Sequence, residues 1–131
     1  MLSLTVMGFD AEPEFVTEIL RIEPTSVRRK GDAGRTGKPS RSSGWHFDVH
    51  AGRLTDGQQH EDALAKLMAR LRDREVHFAR LHSEVRPSDV GIYGGMYVPA
   101  NGQCGIWLMP DDMMTLARCG VAWDMHLSVD D

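Results

Sequence analysis

A metal-binding or proton-transfer site is the first chemistry that the sequence suggests. His46, Asp48 and His50 stand at alternate positions of one segment. Because alternate residues of a strand share a face at a spacing of about 6.5–7 Å, these side chains would lie side by side. Two imidazoles at that spacing can chelate zinc, and the carboxylate between them could orient a ring or join the ligands. Asp124 and His126 repeat the pattern and would enlarge the group if the two strands were adjacent.

Solvent exposure is the competing interpretation of these positions. Helices are expected to cover one face of a sheet and water the other, and a water-facing strand face carries polar residues. The sequence contains no HExxH and no paired CxxC, so no motif supports a metal, and we predict no cofactor.

A basic segment is the second candidate site. Residues 23–44 are rich in Gly, Ser and Pro and carry six cations against two acids, a net charge of +4 in a chain whose total is −4. The cations are Arg28, Arg29, Lys30, Arg35, Lys38 and Arg41. Such a concentration could attract a phosphate, a nucleotide, nucleic acid or an acidic protein surface, and arginine can grip an anion with two parallel hydrogen bonds. The alternative is a solvated, flexible connector.

Other catalytic patterns are weaker. The basic segment has no aromatic residue for base stacking and no GxxxxGK[ST] motif, which argues against nucleic acid and excludes a P-loop. Cys104 has no basic neighbour to stabilise a thiolate, and Cys119 is predicted at the helix end that disfavours one. No serine stands in a GxSxG elbow. Whether the chain is an enzyme stays open, with a non-catalytic role leading.

Hydrophobic periodicity predicts the elements that position these residues. Alternating apolar residues predict five strands, at 2–9, 45–50, 90–98, 103–108 and 121–129. Apolar residues at helical spacing predict helices that begin at Pro13, at the capping box 55–58, near Val76 and at Pro110. Trp45, Phe47 and Val49 are expected to point inward.

These elements give the order β-α-β-α-α-β-β-α-β in one domain, residues 1–131. The fold class is α/β (α+β), a two-layer sandwich with a mixed, largely antiparallel sheet of about five strands and three or four helices, mainly on one face. Asn101-Gly102 predicts a hairpin, and Pro99, which cannot donate to a ladder, is expected at an edge.

The predicted hairpin also favours a partner. Apolar side chains load both of its faces: Tyr97, Ile106 and Leu108 on one, and Met96, Val98 and Trp107 on the other. Two apolar faces imply cover on both, by helices of this chain or by another subunit, so a homodimer through this hairpin is a hypothesis.

One segment resembles a known family. The run Pro24-Thr25, then Lys30-Gly31-Asp32, with Trp45 after it, is similar to a bacterial family catalogued as domain of unknown function 4279. The similarity extends to the layout: a strand and helix, a Pro-Thr turn, a Trp strand, a Leu-rich helix and a closing strand–helix–strand. The resemblance implies a compact bacterial domain. It carries no functional residue over, because the family has no assigned activity.

The sequence indicates a cytoplasmic protein. Two cysteines do not form a disulfide framework, the first residues lack the pattern of a signal peptide, and no stretch approaches a membrane span. The leading function is a non-catalytic binding or interaction module, regulatory or immunity-like, with a small anion or an acidic protein bound at Arg28, Arg29 and Lys30. The alternative is a small metal-dependent or acid–base enzyme that uses His46, Asp48 and His50.

Overall fold

A five-stranded sheet forms the centre of the computed structural model, which describes residues 1–49, 57–99 and 107–130. The strands are β1 (Leu2–Phe9), β2 (Ser26–Arg28), β3 (Ser43–Val49), β4 (Asp89–Pro99) and β5 (Ala122–Asp130), and they lie in the order β2-β3-β1-β4-β5. β1 pairs antiparallel with β3 and β4, β2 pairs antiparallel with β3, and β5 runs parallel to β4. The predicted mixed sheet is therefore confirmed.

Four helices of the described ranges accompany the sheet: α1 (Pro13–Leu20), α2 (Gly57–Leu71), α3 (Glu75–Arg80) and α4 (Pro110–Cys119). A π-helical turn (Leu81–Val85) continues α3, so the predicted short helix is confirmed but changes its winding at Leu81. α1 and α4 both begin with proline, whose missing N–H costs nothing at a helix start. Asp112 completes the start of α4, because its Oδ2 accepts the Met109 N–H at 3.1 Å.

The hydrophobic core lies between the helices and one face of the sheet. Leu2, Leu4 and Val6 alternate along β1 and are completely buried, and the α1 and α2 side chains belong to the same core cluster. On β3, Trp45 is completely buried, Val49 is buried, and the half-buried Phe47 packs against the core. The inward orientation predicted for these three residues is confirmed. His46 and Asp48 consequently belong to the opposite face, which we call the open face.

The structure departs from the expected element order at two places. β2 was not predicted, because Ser26, Val27 and Arg28 are all exposed and show no apolar alternation. The predicted strand at 103–108 and its Asn101-Gly102 turn lie mainly outside the described residues, and Trp107 and Leu108 belong to no strand. Among the described strands, β5 occupies one side of β4 along Gly91–Pro99, whereas β1 reaches only to Gly94 on the other.

No helix of the described ranges combines the length and the apolar character that crossing a bilayer requires.

Candidate functional site

The basic segment folds as a hairpin, which we call the basic hairpin (residues 26–49). β2 and β3 form its base, and a bridge between Ala33 and Pro39 continues the pairing towards the tip. Backbone hydrogen bonds from Gly31 N to Ser40 O and from Ser40 N to Asp32 O, both 2.8 Å, join the two arms. The six predicted cations thus lie on a hydrogen-bonded scaffold.

Arg29 and Lys30 fasten the basic hairpin to the start of α1. The Arg29 guanidinium contacts the Glu14 carboxylate, and its Nε lies 3.6 Å from Glu12 Oε2. The Lys30 ammonium lies 2.8 Å from Asp10 Oδ1. Exposed pairs of this kind contribute only about 0–1 kcal/mol each, so these contacts connect the hairpin to α1 without adding much stability.

The remaining cations of the basic hairpin are not paired in this way. Among the described contacts, Arg28 Nε donates to Ser42 O at 3.4 Å, and the other three cations are exposed in the segment 35–41. Four cations form no ion pair with any carboxylate in the described part of the chain: Arg28, Arg35, Lys38 and Arg41. The structure therefore divides the predicted basic cluster in two. Arg29 and Lys30 are the anchoring pair, and the four cations without an ion pair to a described carboxylate are called the free group.

His46 and Asp48 lie on the open face near the base of the hairpin. Burial lowers the pKa of His46, the Asp48 carboxylate acts in the opposite direction, and Arg28 adds to the lowering. The imidazole is therefore neutral at neutral pH, the state in which histidine binds metals. Asp48 accepts the Ser3 hydroxyl on Oδ1 at 2.5 Å. His50, the third predicted ligand, lies outside the described residues.

Asp124 and His126 do not join this pair. They share the open face, but β1 and β4 separate β5 from β3. Since neighbouring strands lie about 4.8 Å apart, the two polar pairs are about 14 Å from each other. Within residues 1–49, 57–99 and 107–130, no group of three His, Cys, Asp or Glu side chains could hold a metal ion.

An acid–phenol pair on the open face of β4 was not predicted from the sequence. Tyr93 donates its hydroxyl to the Asp89 carboxylate, and this hydrogen bond is the main reason that the pKa of Tyr93 rises to about 12. The ring lies over Gly91, where a Cβ atom would come within 3.0 Å of Tyr93 Cε2. The spacing of Asp89, Gly91 and Tyr93 at alternate strand positions was the signal that could have revealed this arrangement.

Cys119 is not an activated nucleophile. Burial, with a smaller contribution from Glu75, raises the pKa of its thiol to about 11. Its Sγ lies 3.7 Å from Leu71 O. The thiolate is disfavoured, as the sequence predicted, although burial rather than the helix end is the main cause.

A groove of about 320 Å³ lies between α2 and α4. Leu64, Met68 and Met109 contribute apolar lining, and Trp107 stands at its side with 74% of its surface exposed. Trp107 is one of the residues on which the homodimer hypothesis rests, and the helices of the described ranges do not cover it.

The residues that carry the family resemblance have structural roles in the basic hairpin. Thr25 joins the hairpin base, since its Oγ1 accepts the Asp48 N–H at 2.9 Å. Gly31 adopts a positive φ of 93°, which favours glycine, and Asp32 accepts the Arg29 N–H at 3.0 Å. Trp45 is the buried anchor of β3.

Comparison with known protein families agrees with the resemblance that these residues indicated. The sequence profile described as "Domain of unknown function (DUF4279)" matches residues 1–129. Searches of the curated proteins and of the solved structures found no match. Because the profile spans almost the whole sequence, the chain belongs to the DUF4279 family, whose function is unknown.

Proposed function

We propose that this chain is a non-catalytic binding module whose basic hairpin captures an acidic protein surface. The observation that carries the proposal is the free group of exposed cations, Arg28, Arg35, Lys38 and Arg41, beside two cations that are already paired. In this proposal Arg29 and Lys30, which the sequence also suggested as ligand-binding residues, hold the hairpin, and the free group meets the partner.

The distribution of charge favours a local site over general attraction. The segment 23–44 carries +4, whereas the remaining residues total −8. Since charges are screened beyond about 8–10 Å at physiological salt, an acidic partner would be attracted at the hairpin and repelled elsewhere. The protein would therefore hold such a partner in one orientation.

The chemistry of the tip favours a protein over a nucleic acid or a small phosphate. Residues 31–41 contain no aromatic side chain on which a base could stack. Arg28 lies in β2 at the base of the hairpin, whereas Arg35 and Lys38 lie beyond the Ala33–Pro39 bridge. A spread row of cations suits the carboxylates of a protein surface, and we infer a regulatory or immunity-like role in a bacterial cytoplasm.

A defined acidic probe tests the proposal. Binding of a fluorescent deca-glutamate peptide is measured by anisotropy for the wild type and for Arg35→Glu/Lys38→Glu. The matched control is Lys66→Glu/Arg86→Glu, which makes the same change in net charge at exposed sites outside the hairpin. We expect the hairpin variant to bind about tenfold more weakly than the control, since each reversed exposed pair is worth about 1 kcal/mol or less.

Equal weakening in both variants would show that the hairpin is not the site. A parallel titration with a deca-thymidylate separates the partner classes. Tighter binding of the oligonucleotide than of the peptide, with a steep dependence on salt, would replace the protein partner by a nucleic acid.

A second candidate is a small metal-dependent or acid–base enzyme that uses His46, Asp48 and His50. The observation in its favour is that His46 and Asp48 share one face of β3, where burial lowers the pKa of His46. Its test is the metal content of protein purified without added zinc. Stoichiometric metal that is lost in His46→Ala/His50→Ala supports the metal-dependent enzyme, and a folded, metal-free wild type contradicts this metal-dependent form.

A further inference from the structure

Within the described part of the chain, β5 is a long strand at the edge of the sheet. It pairs with β4 on one side, and no strand of the described ranges pairs with its other side. Natural proteins guard exposed edges with proline, lysine or a short strand. β5 has nine residues, Ala122–Asp130, and contains neither proline nor lysine.

The side chains of β5 divide into a charged face and an apolar face. Asp124 and His126 are exposed on the open face, where His126 Nε2 lies 3.7 Å from Asp124 Oδ1. On the helix side, Trp123 and Met125 are partly buried and pack against the core. Leu127 continues this apolar row, but 66% of its surface is exposed.

We propose that β5 pairs antiparallel with β5 of a second copy, about a twofold axis that passes beside Met125. The five described strands of each copy would then form one continuous sheet. A twofold interface uses the same surface on both copies, so every contact occurs twice. This surface differs from the hairpin on which the sequence-based homodimer hypothesis rested.

Complementary hydrogen-bonding groups select this register. With Met125 on the axis, Asp124 lies opposite His126 of the second copy, and His126 lies opposite Asp124 of the second copy. An imidazole N–H can donate a hydrogen bond to a directly opposed carboxylate, whereas two carboxylates in opposed positions destabilise a strand pair. With the axis at Asp124, two copies of Asp124 would lie opposite each other. With the axis at His126, two copies of His126 would lie opposite each other.

The apolar row is also complementary in the same register. Trp123 lies opposite Leu127 of the second copy, so that the pairing covers the exposed Leu127 side chain with an aromatic ring. Aromatic and aliphatic side chains in opposed positions stabilise strand pairs. The open face and the helix side therefore favour one and the same alignment.

Disulfide trapping tests the register directly. In a Cys104→Ser background, Asp124→Cys and His126→Cys are prepared as separate proteins, oxidised alone and as an equal mixture. Opposed residues satisfy the Cα separation of about 4.4–6.8 Å that a disulfide requires, and residues two positions out of register exceed it. We expect cross-linked dimer from the mixture and none from either protein alone.

Each other outcome contradicts the proposal. Cross-linking of Asp124→Cys alone or of His126→Cys alone would indicate a different axis. No cross-linking in any sample would show that β5 does not pair with itself.

A charge variant provides a measurement that does not depend on oxidation. His126→Asp places a carboxylate opposite Asp124 of the second copy at both symmetry-related positions. The control, Ser128→Asp, adds a carboxylate on the same strand face but opposite Ala122 of the second copy. By light scattering over a concentration series, we expect His126→Asp to weaken dimerisation about tenfold or more and Ser128→Asp to have little effect. A wild type with the mass of one chain at every concentration would overturn the proposal.

Discussion

The indole N–H of Trp45 donates a hydrogen bond to Thr17 Oγ1 at 3.0 Å and so joins β3 to α1. Trp45 is completely buried, which means that this donor has no access to water if Thr17 is changed. The basic hairpin continues from β3, and its anchors Arg29 and Lys30 contact carboxylates at and just before the start of α1. Trp45 thus holds β3 against α1, and the basic hairpin, which includes β3, also contacts α1 through Arg29.

Thr17→Val tests the contribution of this hydrogen bond. Leaving a buried donor unsatisfied costs about 1–3 kcal/mol, so we expect the free energy of unfolding to fall by that amount in urea denaturation. The control is Thr115→Val, which removes an exposed hydrogen bond from Thr115 Oγ1 to Asp111 O. Equal losses in the two variants would contradict the role assigned to Thr17.

The lowered pKa of His46 predicts a stability that depends on pH. Because burial depresses the pKa below its value of 6.5 in the unfolded chain, the unfolded state binds more protons in the window between the two pKa values. Stability therefore falls as the pH decreases through this window. We expect the difference in unfolding free energy between wild type and His46→Gln to rise from about pH 5 to about pH 7.5. A difference that stays constant over this range would contradict the lowered pKa.

Asp89→Asn tests the acid–phenol pair on β4. The hydrogen bond to Asp89 is the largest cause that raises the pKa of Tyr93 to about 12. Without the carboxylate, we expect the phenol to ionise closer to the ordinary value of about 10, as measured by ultraviolet absorbance in a Tyr97→Phe background. The stability that this contact contributes is present below the unfolded pKa and is lost as the pH rises towards 12. An unchanged titration in Asp89→Asn would contradict the pairing.

The ion pairs at the base of the hairpin predict a small effect that depends on salt. Arg29→Ala removes contacts with Glu12 and Glu14, and both partners are exposed. We expect a loss of about 1 kcal/mol or less at low salt, and a negligible loss in about 1 M NaCl, where charges are screened within about 3 Å. Arg28→Ala is the control, since Arg28 forms no ion pair with a described carboxylate. A loss that persists at high salt would indicate packing rather than charge.

The fold was largely predictable because its elements depend on local patterns. Alternation at Trp45, Phe47 and Val49 identified β3 and its buried face, and Pro110 marked the start of α4. The pairing of strands is not encoded locally, so the parallel contact between β4 and β5 could not be deduced. β2 escaped notice because a three-residue exposed strand leaves no periodic signal.

The candidate site was predictable only as a set of residues. The sequence identified the basic segment, but it did not separate Arg29 and Lys30 from the other cations. Their carboxylate partners, such as Asp10 and Glu14, lie in a different segment and meet them only through the tertiary fold. The polar alternation at His46 and Asp48 indicated the open face correctly, whereas the distance from Asp124 and His126 followed from a strand order that no local pattern specifies.

The position of β1 in the middle of the sheet has a consequence for how the protein acquires its structure. Leu2 pairs with Val49 on one side and with Gly94 on the other, so the innermost strand needs contacts from two distant parts of the chain. The entropy of closing these large loops is lost before the pairing stabilises the protein, so such non-local pairings slow folding relative to a fold built from local contacts. Strand β1 can therefore complete its backbone hydrogen bonds only after both β3 and β4, as far as Gly94, have reached it.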